Sequence, residues 1–200
     1  MKPNDVYLGV IQLFGVLVPG AFLLFLHGEP IAAALRRPSF GVASWSWATF
    51  VVCAYIAGHL LLGIGVPLNH LLDRCYPAAQ DAYYQDVQRH LRLPDGVAAN
   101  RQDIFYRAYS FVRLTNVQAT AEIDRNAADY KLFRSLAIVS AVDLFIQPFS
   151  FDFPRMLLSA SLLALTLVRF IFLLKWTYRL TFEYCSLLNV MKEAAETRAA

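Results

Sequence analysis

Residues 6–26 read VYLGVIQLFGVLVPGAFLLFL, without a single charged side chain. A helix needs about 20 apolar residues to cross a hydrocarbon core, and this run has that length. A second region, 38–72, contains no Lys, Arg, Asp or Glu. It holds an apolar segment over 45–68 with slack for tilt. Two weaker segments follow at 132–149 and 156–174, interrupted by Asp143 and Arg169 respectively. The chain is therefore expected to be an all-α integral membrane protein with four transmembrane helices. Residues 1–72 form a first hairpin and 132–174 a second. A helical insert, 73–131, lies between helices two and three, and a helical tail occupies 175–200.

Composition agrees. The chain of 200 residues is 58% hydrophobic with a mean hydropathy of +0.44, whereas soluble domains are about 45–50% apolar. Two competing readings are weaker. A core-buried hairpin would explain the last two segments, but not the placement of charge around them. A cleaved signal peptide ending near Ala32 and Ala34 would explain the first. However, the apolar run exceeds a usual signal core, and Lys2 is the only nearby cation.

Charge sets the orientation. With four spans, one face of the membrane carries Lys2, Arg74, Arg89, Arg92, Arg101, Arg107, Arg113, Arg125, Lys131, Lys175, Arg179, Lys192 and Arg198. The other carries Arg36, Arg37 and Arg155. Lys and Arg are retained on the cytoplasmic side. Both termini and the insert are thus expected to be cytoplasmic, in a multi-pass protein of the inner (plasma) membrane.

Breakers and small residues mark the organisation within this frame. Pro19 removes a backbone donor from the first span and predicts a kink. Ala54-x-x-x-Gly58 allows close helix approach in lipid, either inside one chain or between copies. The insert reads as two helical parts, 77–91 and a second from Arg101, separated by Pro94-Asp95-Gly96. Asn100-x-x-Asp103 resembles a helix start. No Pro or Gly occurs from Arg101 to Pro148, which predicts one helix running from the insert into the third span. The same holds from Arg155 to Ala200, so the fourth helix is expected to continue past the membrane. Pro148, Phe149, Phe151, Phe153 and Pro154 predict an interfacial turn.

Few side chains offer chemistry. Asp143 is the most informative: an ionisable group inside a span costs about 2.5–3.5 kcal/mol. It is expected to face water, a pore or another helix, or else to reach the outer interface. Its pairing with Arg169 is not expected, since the two sit toward opposite leaflets and Arg169 can extend to the cytoplasmic interface. His59 and Gln12 are the other intramembrane polar candidates, for a pore lining or for interhelical hydrogen bonds.

The insert interleaves arginine with aromatics: Arg89, Arg92, Arg101, Tyr106, Arg107, Tyr109 and Arg113. Such a surface suits phosphates and stacked bases, and equally suits an anionic membrane surface. Asp81, Asp86, Asp95 and Asp103 dilute its field. A nucleotide or oligonucleotide is the candidate ligand.

No catalytic constellation is present: no Gly-x-Ser-x-Gly, His-Glu-x-x-His or P-loop. Ser44 and Ser46 have no evident histidine partner. Cys53, Cys75 and Cys185 form no local pair or zinc motif. No enzyme activity, metal or cofactor is expected.

Two stretches, Ala54-Tyr55-Ile56-Ala57-Gly58-His59-Leu60-Leu61 and Tyr130-Lys131-Leu132-Phe133-Arg134-Ser135-Leu136, together with the overall layout, resemble small bacterial membrane effectors of anti-phage defence. The similarity is greatest to the Hailong-type channel effector. This resemblance implies a homo-oligomeric channel opened by a cytoplasmic nucleic-acid signal. Four spans alone make a poor conduit, so a pore would form between subunits, with a tetramer as the favoured assembly. A non-conducting anchor that recruits a cytoplasmic partner is the alternative, and a membrane enzyme acting on lipid is a third, without a supporting motif.

Overall fold

The computed structural model describes residues 3–34, 47–75, 84, 85, 87, 101–146 and 153–199, with side chains for 13–28, 47–70, 84, 85, 87, 103–146 and 153–197. The described residues form five long helices and no strand: α1 (Pro3–Ala34), α2 (Trp47–Cys75), α3 (Arg101–Thr115), α4 (Val117–Ile146) and α5 (Phe153–Ala199). The all-α expectation holds for these residues. The expected turn around Phe149 and Phe151, the Pro94-Asp95-Gly96 break and the Asn100 helix start lie outside them. The chain divides into two compact units, 1–68 with 128–172 and 69–127 with 173–200.

Two helices are long and apolar enough to cross a membrane, α2 over Trp47–His70 and α5 over Phe153–Thr197. The apolar side chains described in α1 cover the shorter stretch Leu13–Gly28. Most of these apolar surfaces are exposed, including Phe25, Ile56, Leu60, Ile64, Leu158, Leu165 and Val168. Core helices of soluble proteins turn such residues inward.

In the first unit, α1 and α2 meet backbone to backbone. A Cβ on Gly20 would collide with the Ala54 carbonyl and the Gly58 amide, and one on Gly58 with the Val16 carbonyl. Ala54 is fully buried. The small residues at 54 and 58 therefore seat α2 against α1 of the same chain rather than against another copy. Pro19 is also buried there, and α1 continues through it without interruption. Gly15, Pro19 and Gly20 together thin one side of α1.

α4 and α5 supply the rest of this unit. Val139 and Phe170 are completely buried, and Tyr130 packs against Phe170 with ring centroids 6.3 Å apart. Arg169, on the exposed side of α5, sets its guanidinium over Phe133 and Phe172, 5.9 and 5.7 Å from the ring centroids. Its charge is thus shielded by aromatic faces, a role its sequence position alone did not suggest.

The second unit has an aromatic centre. On α3, Ile104, Ala108 and Val112, four residues apart, share one buried stripe. Phe105 meets Tyr178 edge to face at 4.8 Å. Phe182 is buried and touched by Tyr84 at 5.6 Å. α5 continues through Tyr178 and Phe182 to Ala199, as its lack of breakers predicts.

The single helix expected from Arg101 into the third span is instead broken at Asn116. The Asn116 side-chain oxygen accepts from the amides of Gln118 at 3.0 Å and Ala119 at 3.1 Å. These amides would otherwise bond the carbonyls of Leu114 and Thr115. A short polar side chain thus competes with the helix and caps a new one. Counting only Pro and Gly as breakers misses this device.

Gly58→Leu should destabilise the chain by about 3 kcal/mol, because the added side chain meets the α1 backbone and neither can yield. Gly63→Leu is the control: a Cβ there meets nothing within 4 Å. Thermal unfolding in mild detergent should separate the two, and equal melting temperatures would contradict the α1–α2 packing.

Candidate functional site

The first unit holds one concentrated group of polar side chains, where α1, α4 and α5 meet. α4 carries Asp143, which is 2% exposed. α5 brings Arg155 and Ser159, four residues apart and therefore on one face of the helix. An Arg155 Nη donates to one Asp143 oxygen at 2.9 Å, and the Ser159 hydroxyl donates to the other. α1 adds His27, 3% exposed, with Nε2 3.4 Å from the oxygen that Arg155 holds. That nitrogen makes no hydrogen bond among the described residues.

A buried carboxylate is tolerable when paired and hydrogen-bonded, and here both oxygens are engaged. The Arg155 side chain is 43% exposed, so its charge is solvated on one side while it neutralises Asp143 on the other. Asp143 thus faces other helices of its own chain. As the sequence suggests, its partner is not Arg169. The histidine stands against the carboxylate rather than against the serine, an order that differs from the Ser-His-Asp relay of acyl transfer.

A buried cation was missed from the sequence. Arg134 on α4 is 4% exposed and donates from Nη2 to the Leu62 carbonyl of α2 at 3.0 Å. Gly65 gives it room: a Cβ there would collide with the Arg134 side chain. Pro67 follows inside the same helix. The proline lacks the amide that would serve the Gly63 carbonyl, and Arg134 bonds the neighbouring carbonyl of Leu62. Arg134 lies within an apolar segment whose interruption by Asp143 drew attention first. The Gly65-x-Pro67 spacing on α2 was the available signal.

The remaining polar candidates of the apolar segments, as far as their side chains are described, do not join this group. His59 is exposed on α2, with its ring edge-on to Tyr55 at 4.5 Å and 80°. Gln12 belongs to α1, but its side chain lies outside the described ones.

In the second unit, Tyr106, Arg107 and Arg113 lie on the exposed face of α3. Tyr109 does not join them. Its hydroxyl donates to Asp124 on α4 at 2.7 Å. Burial, and then that hydrogen bond, push its pKa up from 10.0 to about 12. A parallel tie runs from the Tyr184 hydroxyl to Glu122 at 2.5 Å. Arg101 lies at the start of α3 with its side chain outside the described ones, and Arg89 and Arg92 are outside the described residues altogether. Among the described residues, no group of three or more His, Cys, Asp or Glu side chains could hold a metal ion. Cys53 and Cys185 are free thiols.

No known protein family matches the chain, and no curated protein and no solved structure shows detectable similarity to it.

Asp143→Asn keeps the shape and removes the charge that holds Arg155. It should cost about 2 kcal/mol, typical of a hydrogen bond to a charged group. Chemical unfolding in detergent micelles reads this directly. Unchanged stability would show that the cluster contributes nothing to the helix junction.

Proposed function

We propose that the chain is a multi-pass protein of the inner membrane whose first unit crosses the bilayer four times. In this proposal both termini and the insert are cytoplasmic. It assembles with further copies, a tetramer being favoured, into a channel or membrane-disrupting effector gated by a cytoplasmic signal. The observation that carries this is an inverted surface: the helices of the first unit expose their large apolar side chains and turn Asp143, Arg134, Ser159 and Thr166 inward. In lipid, apolar residues face out and polar groups must find partners within the protein. Pairing by Arg155 and Ser159 makes the α4 segment tolerable as a span despite its carboxylate. Since Asp143 faces its own chain, a conducting path is proposed between copies rather than through one.

The exposed Tyr106, Arg107 and Arg113 on α3 support a phosphate-bearing signal, with a nucleotide or oligonucleotide as the candidate. Bacterial anti-phage defence is the context this proposal draws from resemblance. The second reading is a non-conducting anchor that recruits a cytoplasmic partner. It is favoured by the same internal pairing of Asp143, which leaves no carboxylate open to a path.

Planar-bilayer recordings of the purified protein should show conductance that appears with nucleotides or oligonucleotides on the cytoplasmic side. Reversing Arg107 and Arg113 to Glu together should weaken that response roughly tenfold or more while leaving membrane insertion intact. Single-cysteine labelling in cells should place position 40 outside and positions 90 and 190 inside. Absence of conductance with every such ligand would move the conclusion to the anchor, and labelling of position 90 from outside would contradict four spans.

A further inference from the structure

α2 has two unlike sides. One carries Ala54, Gly58, Leu61 and Gly65, all buried within its own chain. The other carries Val52, Tyr55, Ile56, His59, Leu60, Gly63 and Ile64, all exposed. His59 falls near the middle of the apolar stretch Trp47–His70. If α2 spans a bilayer, as proposed above, that places an imidazole close to the midplane. Neither His59 nor Tyr55 forms a hydrogen bond with any described residue, and their rings pair with each other. A polar group in that position is expensive in hydrocarbon and marks a surface that is covered.

We propose that this face of α2 is the contact between copies of this chain, with Tyr55 and His59 hydrogen-bonded across it. The donor and acceptor inventory points to a second copy as the occupant. A tyrosine hydroxyl donates, and a neutral imidazole offers one acceptor nitrogen. The chain presents both at one level, held together by their ring contact. Copies related by rotation about the membrane normal keep their α2 helices parallel and at the same depth. Where α2 meets α2, each Tyr55 can donate to a neighbouring copy's His59. Across a two-fold axis the bond is returned, and in a ring of four it passes head to tail from one copy to the next. Gly63, one turn from His59, leaves open space where a Cβ would be, so the partner's helix can come close. The inner face of α2 is already occupied by α1, which leaves the outer face as the one free to serve assembly.

The exposed face of α5 supplies the contrast. Leu157, Leu158, Leu165 and Val168 are exposed there, and the polar side chains beside them are engaged within the chain, Ser161 by the Leu157 carbonyl and Arg169 by the Phe133 and Phe172 rings. That surface suits lipid tails.

The test uses the full chain in native membranes, with Cys53, Cys75 and Cys185 replaced by alanine. Alkaline extraction first establishes membrane integration, and thermal unfolding confirms that each variant folds. Mild oxidation should then join copies through Ile56→Cys and Gly63→Cys but not through Leu165→Cys. In detergent, His59→Leu should weaken association roughly five- to tenfold, the effect of two modest interhelical hydrogen bonds. Gly63→Leu should also reduce assembly without lowering the melting temperature. Release of the chain by alkaline extraction would sink the span reading itself. An integral protein that is monomeric, or that cross-links at 165 and not at 56 and 63, would overturn the α2 contact alone. Unchanged association in His59→Leu would overturn the Tyr55–His59 bond.

Discussion

The structure depends on how one carboxylate is kept inside an apolar bundle. Asp143 lies where α1, α4 and α5 converge, and an isolated charge there would not be tolerated. Arg155 and Ser159 engage its two oxygens, and they reach it together because they stand one turn apart on α5. This ties the third and fourth apolar segments into a pair with a fixed register. Removing one member of a buried ion pair costs more than the pair contributes, because the other is left stranded. The half-exposed Arg155 softens that penalty by keeping part of its charge in solvent. His27 brings α1 within 3.4 Å of the same carboxylate, so three helices converge on one group.

Close backbone packing is the second constraint, and it is independent of the first. α1 and α2 approach along Val16–Gly20 and Ala54–Gly58 so tightly that no side chain fits at either glycine. This contact is steric, whereas the Asp143 junction is electrostatic. Arg134 joins the remaining pair of helices by donating to the α2 backbone beside Pro67. The first unit is therefore held by one contact of each kind: a backbone crossing, an ion pair and a buried arginine on a helix carbonyl. The second unit uses aromatic packing and the tyrosine–carboxylate ties Tyr109–Asp124 and Tyr184–Glu122 instead.

Much of the helical layout was legible because hydrophobic runs and helix breakers are local signals. The uninterrupted α5 and the small-residue spacing at Ala54 and Gly58 are of that kind. Asn116 was not legible, since its capping depends on a side-chain geometry that composition does not encode. Arg134 was passed over because a cation near the end of an apolar segment reads as a boundary. Its burial follows only from Gly65 on a distant helix. Asp143 stood out as a charge needing a partner, yet Arg155 and Ser159 could not be named without knowing how α4 and α5 pair. Tyr109 looked like part of an arginine–aromatic surface and instead turns toward Asp124, since Asp124 on α4 comes within reach only once the chain turns at Asn116.

In the proposed arrangement Asp143 is paired inside the bundle while the apolar side chains face lipid, and α4 is its most demanding helix. Nitroxide spin labels placed singly at Val142 and Phe145, exposed on α4, measure this directly in reconstituted bilayers. Leu158 and Leu165 on α5 serve as standards. The account predicts that both α4 labels are relaxed by oxygen dissolved in the lipid and shielded from a water-soluble nickel complex, as at the standards. Ready relaxation of the α4 labels by the nickel complex, with the standards shielded, would contradict it by placing α4 in water.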